Sequence, residues 1–193
     1  MQYKTRTFFN QPVTKTPFHS TLEAKSSSTV KSLLLHPSQK ECCTVHIDIE
    51  VHQQQPAGFC CQVHIAACYL EIEGKILLLQ LPEGKKEAGK WGVPAGKFEG
   101  GESPEEAAKR ELFEETGIAV DPATQMQYLG ALYIRKPEID YIYHSFRVHL
   151  PAMPEVHISH EHQDYRWASA QEMEEMPLMM GAKEALEQYR KQS

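Results

Sequence analysis

One segment constrains this chain more than any other: SPEEAAKRELFEETG, residues 103–117. Ser103 is a natural N-cap, and Pro104 suits the first helical position. Glu106 stands three residues after Ser103, which completes a capping box. Gly117 is the left-handed residue expected just past a helix end. These signals predict a helix of about three and a half turns. At about 100° per residue, Ala107, Ala108, Glu111, Leu112, Glu114 and Glu115 share one half of it. Glu105, Glu106, Lys109, Arg110 and Phe113 share the other, where Phe113 is expected to pack on a neighbouring element. The half that should turn toward the protein thus carries three glutamates. Glu111 is next to both Glu114 and Glu115 on the helix surface. Like charges held this way repel, and desolvating them costs more still. Something cationic must compensate. Arg110 does so in part by reaching Glu114 or the more distant Glu102. A bound dication does it better, and all-oxygen ligands select Mg²⁺ or Mn²⁺ over zinc. Taken alone, the cluster can also be read as a solvated acidic face.

Around this helix the pattern alternates between strands and helices. Residues 1–40 are poorly patterned, with KSSSTVKS and scattered prolines, and read as a flexible or loosely docked extension to a domain spanning 41–193. From Thr44 to Val51 apolar and polar residues alternate as in a half-buried strand. QQQPAG breaks the run, Phe59–Ile72 reads as a second strand, and a hairpin joining the two is expected. KILLLQL (75–81) reads as a deeper strand. A lysine-bearing loop (82–90), a short extended piece (91–94) and the Gly-rich loop AGKFEGGE (95–102) lead into the helix. Beyond it, 128–134, 141–150 and 165–168 read as strands, 169–176 as a helical turn and 181–192 as a terminal helix. Layered α and β packing follows.

From Gly96 to Ile118 the chain reads GKFEGGESPEEAAKRELFEETGI. Gly96, Glu102, Arg110, Glu111, Leu112, Glu114, Glu115, Gly117 and Ile118 fill every fixed place of the Nudix hydrolase (MutT-like) signature. The chain resembles that family, and flanking features (GKILLLQL, WGVPAG, EHQDYRWAS) extend the likeness to roughly residues 59–190. The resemblance implies an α/β/α sandwich around a mixed β-sheet, with the motif as a loop–helix–loop. It implies that Glu111, Glu114 and Glu115 bind the metal and act in proton transfer, with the carbonyl of Ala95 as a further ligand. It makes Arg110 and Glu102 the pair that orients the glutamates, and Glu161, in ISHEHQDYRW (158–167), an added catalytic carboxylate. The implied reaction is attack of water on a phosphorus of a nucleoside diphosphate derivative such as a (d)NTP, ADP-ribose or a sugar nucleotide. Mg²⁺ or Mn²⁺ is the implied cofactor, and a homodimer is the family's common assembly.

The remaining clues are softer. Trp91 and Tyr143 are candidates for stacking a base, and Lys97 and Arg135 for meeting phosphates. A formal charge of −6 argues against non-specific nucleic-acid binding. No run suits a membrane span, and no start suits a secretory signal, so a cytoplasmic protein is expected. Five cysteines, two pairs of them adjacent, fit reduced thiols better than a disulfide framework. Two rivals to a hydrolase share the fold. A non-catalytic binding module usually lacks a motif glutamate, whereas all are present here. An isomerase of the isopentenyl diphosphate type needs a placed thiol, and nothing marks one out.

Overall fold

The computed structural model describes residues 49–192. The extension at 1–40, the pair Cys42 and Cys43, and the start of the alternating strand at 44–48 lie outside the described residues. In chain order the elements are β1 (Glu50–His52), β2 (Cys61–Ile72), β3 (Lys75–Gln80), β4 (Trp91–Gly92), β5 (Ala95–Lys97) and α1 (Pro104–Thr116). Then come α2 (Pro122–Gln125), β6 (Met126–Lys136), β7 (Ile139–Val148), β8 (Asp164–Ser169), α3 (Ala170–Glu175) and α4 (Ala182–Lys191).

The sheet runs β1-β6-β7-β2-β3-β4, with β5 paired to β2 and β8 to β3. β2 and β7 are parallel while the other pairs are antiparallel, so the sheet is mixed. Ala66 to Leu70 of β2 form an unbroken buried run because helices cover both faces of the sheet. Ala66, Cys68 and Leu70 meet Ala107, Ala108 and Leu112 of α1, together with Phe146 and Val148 of β7. On the other face Tyr69 and Leu78 meet Met173 of α3 and Leu186 and Tyr189 of α4. Tyr69 and Tyr189 stack there with ring centroids 4.5 Å apart. The result is the α/β/α sandwich that the sequence led us to expect.

Several local readings need correction. β1 does not form a hairpin with β2; it pairs with β6, with Val51 opposite Ile134. β2 has no free edge to offer, since β7 takes one side and β3 and β5 share the other. The Gly-rich loop at 95–102 begins as strand, because Ala95–Lys97 pair with β2. The short α2 was not foreseen, although Asp121 caps it and Pro122 opens it. Phe113, expected to pack on a neighbouring element, is instead 56% exposed.

Leu112 is fully buried between α1 and the sheet. Leu112→Ala should lower folding stability by about 2–5 kcal/mol through lost burial and the cavity left behind. Urea unfolding of the native and substituted chains measures this.

Candidate active site

The ends of α1 are fixed by its own sequence. Glu106 N–H donates to Ser103 Oγ (3.3 Å), and Ser103 N–H donates to Glu106 Oε2 (2.8 Å). At the far end Gly117 adopts φ +71° and its N–H returns to Phe113 O at 2.8 Å. Burial of Ala107, Ala108 and Leu112 then sets the rotation of the helix. Glu111 and Glu115 are carried inward, with side chains 14% and 12% exposed, while Glu114 stays at the rim with 57%. The inward half of the helix thus holds two glutamates rather than three.

Arg110 compensates much of this negative charge. Its Nε and Nη2 grip both oxygens of Glu102 at 2.6 and 2.8 Å. Nη1 donates to Glu111 Oε1 (2.8 Å) and Glu114 Oε2 (3.1 Å), and Nη2 also donates to Lys97 O (2.9 Å). A guanidinium has five N–H donors, and each is engaged. With Arg110 on one side and Glu99 N–H at 2.8 Å on the other, the Glu102 carboxyl is held down at about 2. Glu111 and Glu115 go the other way. Burial pushes Glu111 above the ordinary carboxylate range despite Arg110. Glu115 is pushed up to about 8, chiefly by burial and then by Glu111, Glu161 and Glu114, with the Ala95 N–H opposing the rise.

β5 forms the floor of this group. Cys68 N–H donates to Pro94 O (2.9 Å) and Phe98 N–H to His64 O (3.0 Å), while Ala95 lies opposite Ala67. In an antiparallel ladder these bonds alternate, so Ala95 directs its N–H and C=O away from β2. The N–H is used by Glu115 Oε2 at 2.9 Å. The carbonyl leaves the strand on that same side. Gly96 lies under Glu111: a Cβ there would stand 2.0 Å from the Glu111 carboxyl carbon.

A loop ahead of β8 closes the C-terminal end of α1. His157 N–H donates to Thr116 O (2.8 Å) and Ser159 N–H to Glu115 O (3.1 Å). This brings Glu161 into electrostatic range of Glu111 and Glu115. Glu161 Oε2 itself meets Lys85 Nζ at 3.2 Å. His162 follows Glu161 in the same loop. Its side chain is 9% exposed, its Nε2 lies 3.7 Å from Glu115 Oε1, and its Nδ1 is buried without a partner. Burial lowers its pKa.

On the opposite face of the sheet a cavity of about 410 Å³ adjoins the same strand. Trp91, Lys97 and Tyr143 all line it, as do Gly96 and Ala95. Arg135, expected to meet phosphates, does not line this cavity. It faces Asp140, with Nε–Oδ1 3.2 Å, and its neighbour Lys136 lines the cavity instead. The Cys68 thiol donates to Ala108 O beneath α1, where burial pushes it far above its ordinary pKa. Such a thiol is unsuited to the isomerase reading.

Among the described residues no three acidic, histidine or cysteine side chains converge as a ready cation cage. Arg110 Nη1 holds Glu111 and Glu114 as they stand. The donor set nonetheless fits a hard dication. Glu115 is a buried carboxylate whose hydrogen bond comes from a neutral amide, and Gly96 leaves Glu111 room beside it.

The family described as NUDIX domain matches residues 62–189. The chain belongs to the Nudix family. Among curated relatives, the CTP pyrophosphohydrolase of Escherichia coli is 36% identical over 117 residues, which is 60% of this chain and 82% of that protein. Among solved structures, a MutT protein from Methanosarcina mazei is 28% identical with TM-score 0.59, covering 67% of this chain and 93% of that one. A bifunctional NMN adenylyltransferase/ADP ribose pyrophosphatase from Francisella tularensis, solved with AMP and a Mn ion, shares the fold at 18% identity. It has TM-score 0.54 and covers 68% of this chain and 42% of that one. This Nudix chain is a pyrophosphohydrolase acting on nucleotide derivatives.

Gly96→Ala should force the Glu111 carboxylate aside with little effect on the fold. A displacement of about 1 Å at a reacting group can cost about 10²-fold in rate. Diphosphate hydrolysis measured beside a thermal melt should show the rate falling by that order while the melting temperature barely moves.

Proposed function

We propose that this Nudix enzyme hydrolyses the diphosphate linkage of a nucleoside di- or triphosphate derivative with Mg²⁺ or Mn²⁺, held by Glu111, Glu114, Glu115 and the Ala95 carbonyl. One observation carries the reading. Glu115 is buried beside a second inward glutamate, and Arg110 pairs with Glu102, Glu111 and Glu114 but not with it. A buried carboxylate so placed needs a cation or a proton. A dication bound there would neutralise the diphosphate oxygens and make a water acidic enough to attack at neutral pH.

The chain's own groups supply the rest. Arg110, locked on Glu102, keeps Glu111 and Glu114 on the side facing β5. One of the crowded carboxylates takes the proton of the attacking water. Glu111, Glu115 and Glu161 titrate as a coupled set, so the base is a property of the group. The P–O bond to the leaving phosphate breaks as the new P–O bond forms.

Gly96 and Lys97 sit at the boundary between the carboxylates and the cavity. The nucleoside side of the substrate is therefore assigned to the cavity, with Trp91 and Tyr143 as its aromatic contacts. A likeness to a CTP pyrophosphohydrolase supports a nucleoside triphosphate as the first substrate to try. A cytoplasmic location suits this reading, since nucleotides and free Mg²⁺ are available there; among the described residues no helix is long and apolar enough to cross a membrane.

Phosphate or pyrophosphate release should be measured over dNTPs, CTP, oxidised dGTP, ADP-ribose, NADH, sugar nucleotides and dinucleoside polyphosphates. At least one should be cleaved with Mg²⁺ or Mn²⁺, and chelation should abolish the release. Glu115→Gln should lower kcat by about 10³-fold. Release that survives this substitution unchanged would remove Glu115 from the site, and no release from any compound would favour a binding module. On the same substrate Trp91→Ala should raise KM more than it lowers kcat, because stacking is lost in ground and transition states alike.

A further inference from the structure

Two loops meet beside the carboxylates. Residues 82–90 join β3 to β4, and residues 157–163 lead into β8. Gln80, at the end of β3, ties them together. Its Nε2 donates to Gly89 O (3.0 Å), and its Oε1 accepts from Gln163 Nε2 (2.9 Å). Its backbone carbonyl accepts from Gln163 N–H at 2.9 Å. The first loop is closed by Leu81 N–H to Lys90 O (3.0 Å) and Gly89 N–H to Leu81 O (2.9 Å). The second is pinned to the end of α1 through His157 and Ser159, as described above. From these anchored loops Lys85 and Glu161 reach one another at 3.2 Å.

Both partners are about half exposed, at 47% and 56%. An ion pair this exposed contributes little to stability, so the fold does not depend on it. Its effect is on direction. Glu161 is repelled by Glu111 and Glu115, and its side chain is free to turn toward solvent, being 56% exposed. Lys85 supplies the attraction that counters this.

We propose that Lys85 is a positioning residue that holds Glu161 at the carboxylate group, so that Glu161 adds its charge to the field that binds the dication. The inference rests on the proposed Mg²⁺ or Mn²⁺ site. It has a consequence opposite in sign to simple electrostatics. Deleting a lysine near a cation site should by itself tighten cation binding. If Lys85 also keeps Glu161 in place, deleting it costs the site a carboxylate, and binding weakens.

Mn²⁺ affinity measured by electron paramagnetic resonance on the full chain separates these cases. Lys85→Met and Glu161→Gln should each weaken Mn²⁺ binding by about tenfold. The double variant should be no weaker than Glu161→Gln alone, and Lys85→Arg should restore native affinity. With a cleaved nucleotide, both single variants should lower kcat alike, leave KM nearly unchanged and show the same non-additivity. Tighter or unchanged Mn²⁺ binding in Lys85→Met overturns the proposal, as does a raised KM with kcat intact, which would make Lys85 a phosphate contact. Native-like behaviour of Glu161→Gln also overturns it. A native chain that binds no Mn²⁺ would instead end the metal-site reading itself, and this inference with it.

Discussion

The site depends on one guanidinium facing three carboxylates. Glu102, Glu111 and Glu114 could not share so small a space without a cation, and a lysine would not serve. A lysine presents a compact charge on a flexible stem, whereas the Arg110 fork fits both oxygens of Glu102 and still has donors for Glu111, Glu114 and Lys97 O. The bond to Lys97 O matters as much as the ion pairs. It joins the helix to β5, so the side chain that orders the carboxylates also fixes their distance from the sheet.

That link explains how one short strand serves two surfaces. β5 has the acidic group of α1 on one side and the apolar cavity on the other, with Gly96 as a wall one atom thick between them. Burial, which raises the energy of Glu111 and Glu115, is a by-product of packing Ala107, Ala108 and Leu112 onto β2. The helix that stabilises the core thus also holds charges where water alone cannot screen them.

What could be read in the sequence was what is local to it. The caps of α1, the apolar side it buries and the reach of Arg110 to Glu102 and Glu114 depend on residues at most a few turns apart, and the chain states them directly; that Glu114 stays at the rim depends on packing and was not read. The hairpin of β1 with β2 failed because pairing depends on which edges other strands leave open, and β7 lies about eighty residues beyond β2. That Lys136 lines the cavity while Arg135 faces Asp140 was hidden for a related reason. Neighbours in a strand point to opposite faces, and no local signal says which face of β6 borders the cavity. Phe113 was given a neighbour because an apolar side chain usually has one. The contact between His162 and Glu115 crosses 47 positions, and a polar loop carries no sign of it.

The regular geometry of α1 also limits how the gene can change. Each residue turns the helix by about 100°, so one codon gained or lost between Ala108 and Glu111 would rotate the later glutamates out of register with the anchored apolar half. The linker at 82–90 has no helical phase to keep, although Lys85 and Glu87 within it meet Glu161 and the Met180 N–H. Length variation among descendants of this chain should therefore avoid the helix, even where amino-acid identity drifts within it.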